Sequence, residues 1–206
     1  MEKRHRIFIA INLPEDIKRE LFSYSEKWSE LPAKWTSKDN LHITLEFLGN
    51  LTDEEIGEVC VIVKEVAQRH NCFSLNINQI IYGPPNPPSS KTSAWQGKIP
   101  KMVWAEGEKS KELSELCEDL ENSLAEKVRF APEERNFAPH ITLARINAWE
   151  FRAIEPEERP EINEKIDLFF TVESIDVMES ELHQTQRVPR PVYTILESHQ
   201  LNELDI

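Results

Sequence analysis

Two stretches of the chain carry the same four residues, His-Ile-Thr-Leu, at 42–45 and again at 140–143. Histidine is the side chain whose ordinary pKa lies near neutral, so a pair can act as one acid and one base. In an extended strand, alternate residues share a face. His42 and Thr44 therefore point one way while Leu41, Ile43 and Leu45 point the other. His140 and Thr142 likewise oppose Ile141 and Leu143. Two such strands across a cleft would bring together two imidazoles and two hydroxyls, enough for proton transfer and for holding a charged oxygen. A single strand histidine is more often a surface or satisfied residue than a catalytic one. Two in matching positions, each with a same-face threonine, favour chemistry.

A metal site is the rival among enzymes. Strict alternation puts Glu46 on the face of His42, giving two histidines and one carboxylate. Catalytic zinc is usually held by three protein ligands, but one histidine per strand with threonine partners is not a usual ligand spacing. The expectation is catalysis without metal or other cofactor. The non-enzymatic rival is a module that binds a phosphorylated RNA end or a nucleotide without turning it over.

The elements that must position these residues follow from periodicity. RIFIAIN (6–12) reads as a buried strand, and Pro14 leads into a helix carrying Ile17, Leu21, Tyr24 and Trp28 at helical spacing. LHITLEFL (41–48) is the next strand. Thr52 and Glu55 make a capping-box pattern before a helix with Ile56, Val59, Cys60, Val63 and Val66 on one stripe. FSLNINQIIY (73–82) alternates as a strand. The proline- and serine-rich segment 83–97 reads as an irregular loop. A short strand at KMVWAE, a helix over about 109–128 and the strand PHITLARI come next. A polar stretch with Pro156 and Pro160 precedes a strand-rich end. The second histidine word thus occupies the place in its half that the first occupies in its own. Consecutive strands predict an antiparallel α+β fold. We read two pseudo-symmetric lobes, each a sheet with helices on its outer face, enclosing a central cleft within one domain spanning 1–206.

Composition narrows the partners. At 206 residues the chain can bury a substantial core, and its formal net charge of −13 argues against a grip on long nucleic acid duplexes through their phosphates. Any nucleic acid partner would be held locally, at a pocket. Only five glycines are present, with no glycine loop of the nucleotide-cradling kinds. The apolar run near the N-terminus breaks at Asn12 and Pro14, too soon for an export signal. Cys60, Cys72 and Cys117 show no paired spacing and read as reduced thiols. The expectation is a cytoplasmic protein with no membrane span, acting as a monomer. Lys91, Trp95, Lys101 and Trp104 could contact RNA, but read better as solvated lysines and packing tryptophans. His5, His70, His183 and His199 fall in no motif.

LHITLEFLG (41–49) and FAPHITLAR (137–145) resemble the two His-x-Thr motifs of the 2H phosphoesterases, in particular the RNA 2′,3′-cyclic phosphodiesterase (2′-5′ RNA ligase-like) family. RIFIAINLP, KMVWAEG and MESELHQTQRVPRPVYTIL fall in that family's order, so the likeness spans almost the whole chain. It implies hydrolysis of RNA 2′,3′-cyclic phosphate ends to 2′-phosphates, with reversible 2′-5′ ligation. Another cyclic phosphate or a 2′-5′ oligonucleotide would also suit motifs that read phosphate rather than base. The resemblance makes His42 the proton donor and His140 the acceptor. It gives Thr44, Thr142 and Arg145 to the phosphate and Phe47 to the terminal base. Arg145 and Phe47 each lie five residues after their histidine, however, so strict alternation sends both to the core face. Each strand must end or bulge first. Gly49 offers such a break after Phe47; nothing in the sequence marks one before Arg145. A buried Arg145 would need an anion beside it.

Overall fold

The computed structural model describes residues 3–84, 99–125, 138–183 and 190–203. Its frame is a curled antiparallel sheet. The strands are β1 (His5–Asn12), β2 (Ala33–Trp35), β3 (His42–Leu51), β4 (Phe73–Gly83), β5 (Met102–Gly107), β6 (His140–Ile146), β7 (Asn163–Val172), β8 (Ser174–His183) and β9 (Arg190–Gln200). Across the sheet they run β7-β4-β5-β6-β3-β1-β8-β9, with β2 paired to β6 off this path. The sheet therefore has two four-stranded halves, β9-β8-β1-β3 and β6-β5-β4-β7. They meet where Ile43 pairs with Ile141.

Among the described residues the α-helices are α1 (Glu15–Lys27), α2 (Asp53–Ala67), α3 (Lys111–Ala125) and α4 (Ala148–Ala153). The capping box is formed at α2, where the Thr52 hydroxyl accepts from the Glu55 amide and the Glu55 carboxylate accepts from the Thr52 amide. This satisfies two of the amides that a helix start leaves without partners. The stripes of α1, α2 and α3 bury Ile17, Leu21, Val59, Val63, Leu113 and Leu120 against Ile7, Ile9, Ile11, Ile43 and Ile141 of the sheet. That one face of the strands is the core. The opposite face of β1 carries Phe8 and Ala10, which cluster with Met178 and Tyr193.

Two short elements escape the periodicity reading. β2 has three residues, too few for alternation to register. α4 lies at the start of the polar stretch, capped by Asn147, whose side chain accepts from the Trp149 and Glu150 amides. It buries Phe151 alone, so no apolar stripe announces it. Lys91 and Trp95, in the proline-rich loop, lie outside the described residues. Among the described residues no helix is long and apolar enough to cross a membrane.

Candidate functional site

The seam between the halves is where the repeated words meet. Because β3 and β6 run antiparallel through the Ile43–Ile141 pair, His42 lies toward Thr142 and Thr44 toward His140. The two isoleucines are fully buried on the helix side, and the four polar residues, half-buried, take the other face. The sequence expectation that these four share one face holds in the structure.

Each imidazole is held by the same device. His42 donates from Nδ1 to the Asn40 carbonyl at 2.8 Å, and His140 donates from Nδ1 to the Ala138 carbonyl at 2.9 Å. A carbonyl only accepts, so Nδ1 carries the proton and Nε2 is the nitrogen left for chemistry. In the first half, His42 Nε2 lies 3.0 Å from Thr44 Oγ1 and accepts from it when neutral.

Burial pushes the His42 pKa down to about 4, opposed by the bond to Asn40 and assisted by the charges of Lys18 and His140. His42 also has aromatic neighbours: Phe8, with ring centroids 5.0 Å apart, and Tyr193, edge-on at 5.2 Å. His140 instead stacks on Trp104 at 3.9 Å.

Both strands bulge three residues after the histidine. In β3, Ala10 pairs with Thr44 and Ile9 with Glu46, leaving Leu45 as the extra residue. In β6, Trp104 pairs with Thr142 and Val103 with Ala144, leaving Leu143 extra. One unpaired residue shifts the alternation by one for all that follows. Leu143 and Ala144 are consequently both buried, and Arg145 emerges on the histidine face, exposed, with Nη1 donating to Met102 Sδ at 3.7 Å. Phe47 emerges in the same way: it pairs with Phe8, its ring centroid 6.0 Å from that of Phe8, and is 54% exposed. A second register shift follows at Leu48, beside Gly49, whose φ of 79° suits glycine.

These bulges correct the sequence reading at three points. Arg145 is not buried and so needs no carboxylate beside it. Phe47 is not a core residue. Glu46 does not share the face of His42; it pairs with Ile9, and its charge acts on Cys117 of α3, on the helix side. The proposed two-histidine, one-carboxylate ligand set is therefore divided between the two faces of the sheet. Among the described residues, no three His, Cys, Asp or Glu side chains are grouped to hold a metal ion.

The sequence reads Trp104 better as a packing residue than as an RNA contact. It is 9% exposed and does pack, but against His140, so it belongs to the site. It pairs with Thr142 across β5 and β6, a neighbourhood that the pattern of one strand does not encode. Phe8 and Tyr193 escaped because each lies in a strand remote in sequence from His42. A concavity of about 550 Å³ lies elsewhere, on the helix side between α2, β8 and β9, lined by His5, Cys60, Lys64 and Glu179 among others. It includes no residue of the histidine face.

An antiparallel sheet that sets two His-x-Thr strands side by side across a seam is the architecture of the 2H phosphoesterases. The chain belongs to the LigT-like phosphoesterase family, whose model matches residues 11–90 and 103–193. It is 31% identical over 171 residues to the RNA 2′,3′-cyclic phosphodiesterase of Thermotoga maritima, covering 80% of this chain and 83% of that one. It is 25% identical over 202 residues to the protein of the same name from Methanothermobacter thermautotrophicus, covering 95% and 98%. Among solved structures, TT0787 of Thermus thermophilus superposes with a TM-score of 0.77 at 26% identity, over 96% of this chain and 98% of that one. LigT of E. coli, crystallised with 3′-AMP, shares the fold, with a TM-score of 0.71 at 22% identity over 97% and 99%.

Proposed function

We propose that the protein hydrolyses RNA 2′,3′-cyclic phosphate ends to 2′-phosphates through a two-histidine acid–base mechanism that uses no metal. The cyclic phosphodiesterase activity rests on the family and on the curated relatives. The mechanism rests on one observation: both imidazoles are tied by Nδ1 to backbone carbonyls, so that their Nε2 atoms serve the same groove.

His140 Nε2 takes a proton from water as the water oxygen bonds to phosphorus. The bond from phosphorus to O3′ breaks, and O3′ receives the proton carried by His42 Nε2. Thr44, Thr142 and Arg145 donate to the equatorial oxygens of the five-coordinate phosphorus, where negative charge accumulates. Phe47, exposed beside the first histidine, offers a face for the terminal base. With an RNA 5′-hydroxyl in place of water as the nucleophile, the same course would create a 2′-5′ linkage using the same groups.

His42 must be protonated to serve as the acid, yet burial keeps it neutral in the substrate-free protein above about pH 4. The cyclic phosphate resolves this. Its negative charge beside the imidazole favours the protonated form, so substrate and proton arrive together.

The deciding experiment is turnover of a short RNA ending in a 2′,3′-cyclic phosphate, with chelator present, by the intact protein, His42→Ala and His140→Ala. Conversion to the 2′-phosphate, lost in both variants, is expected. Loss of activity on chelation, or near-full activity in either variant, would overturn the mechanism.

A further inference from the structure

Lys18 is 5% exposed on α1, although lysine is among the residues least often buried. Its aliphatic stem is buried, and the charged end of such a side chain ordinarily reaches out toward water. Among the described residues none makes an ion pair with it. Its field acts on two groups of the histidine face, His42 and Asp176. Asp176 pairs with Ala10 on β8, flanked by Ile175 and Val177 on the core side, and so shares the face of Phe8 and Met178.

Asp176 is itself 2% exposed, and among the described residues its Oδ1 is buried without a hydrogen-bond partner. Burial pushes its carboxyl up from the ordinary range, against the Ser198 hydrogen bond and the fields of His199 and Lys18. Lys18 and Asp176 thus form no ion pair among the described residues, and Asp176 keeps a buried oxygen without a hydrogen bond on the groove face. Such an arrangement holds a positive charge in reserve for an anion that enters from outside.

The comparison of the halves says where that anion sits. Five residues after its histidine, the second half places a guanidinium on the groove face and the first half places a phenyl ring. The first half is left without a cation on its own strand, and α1 begins just beyond Asn12, the strand partner of His42. We propose that Lys18 is a substrate-binding residue: its ammonium meets the substrate phosphate on the His42 side of the groove, opposite Arg145, and Asp176 competes with the phosphate for it.

This rests on the phosphodiesterase reading above, and the test separates the two. Inorganic phosphate is titrated by calorimetry into the intact protein, Lys18→Met, Lys18→Arg and Asp176→Asn, and cyclic-phosphate turnover is measured on the same samples. Lys18→Met should weaken phosphate at least tenfold and raise KM more than it lowers kcat. Lys18→Arg should recover most of the affinity. Asp176→Asn should tighten phosphate several-fold, a change of sign that a merely structural role would not produce. If Lys18→Met does not fold, Lys18→Arg and Asp176→Asn decide alone, and unchanged or weaker binding in Asp176→Asn overturns the proposal. Phosphate affinity within twofold of the intact protein in Lys18→Met overturns it while the parent still turns over substrate. No phosphate binding and no turnover by the intact protein would instead remove the reading on which it stands.

Discussion

The two halves of the groove repeat one scaffold and furnish it differently. Each has a histidine tied by Nδ1 to the carbonyl two residues before it, a threonine two residues after, a leucine bulge at the third and an exposed side chain at the fifth. In the first half the imidazole sits among Phe8 and Tyr193, and its outward residue is Phe47. In the second it stacks on Trp104, and its outward residue is Arg145. Backbone geometry repeats because it fixes which nitrogen and which face are presented. Under the proposed mechanism one imidazole gives a proton and the other takes one, and only the surroundings can separate two identical rings.

The largest effects should come from removing either ring. His42→Ala and His140→Ala are each expected to reduce turnover by about 10²–10⁴-fold, measured under single-turnover conditions. The double variant should fall little further, since the two act in one step. Independent, multiplying losses would show that the halves do separate jobs.

The next test attacks the second half alone. A Cβ on Gly83 would lie 2.2 Å from the Trp104 ring, so Gly83→Ala must displace the tryptophan that supports His140. Overpacking of this kind costs about 1–3 kcal/mol. Denaturant unfolding should register that loss, and the pH profile of kcat should move on the limb assigned to His140. An unmoved profile would reduce Trp104 to packing.

The first half has its own signature in pH. The folded protein binds a proton at His42 only below about pH 4, whereas the unfolded chain does so near 6.5. Stability from this group is therefore complete above pH 6.5 and is lost as pH falls toward 4, by up to about 3 kcal/mol. His42→Gln should flatten that part of the stability curve. Phosphate binding at pH 6 to 7 should also take up a proton, seen as a dependence of calorimetric heat on buffer ionisation enthalpy. Binding with no proton uptake would make His42 a poor candidate for the acid.

The smallest expected effects distinguish the two outward residues. Arg145→Leu should weaken inorganic phosphate by about 1.5–3 kcal/mol, the range for a hydrogen bond to a charged group. Phe47→Ala should leave inorganic phosphate unaffected and weaken a nucleotide by about 1–3 kcal/mol, as loss of a base stack does. Equal losses for both probes in both variants would erase the division of labour.

Much of this was legible in the sequence because it depends on local period. The strands around His42 and His140, the capped helix at Thr52 and the shared face of each His-x-Thr pair all follow from spacing two or three residues apart. The placement of Arg145 did not, because a bulge at Leu143 is set by the pairing of β6 with β5 and leaves no glycine to betray it. The same limit misplaced Glu46. Phe8, Tyr193 and Lys18 come to His42 from other elements, and one strand's pattern does not encode its neighbours.

The paired bulges act on each strand as a change of reading frame acts on a message. Before Leu45, even positions of β3 address the groove; after it, odd ones do, until the second shift at Leu48. A carboxylate meant to join His42 therefore has no access from position 46, where nature already has one, but would have it from position 47. Phe47→Glu, not any change at Glu46, is where an acidic group could be introduced beside the first imidazole. Deletion of Leu45 would remove the bulge and leave those addresses as they are, with Glu46 still opposite Ile9 and Phe47 still opposite Phe8.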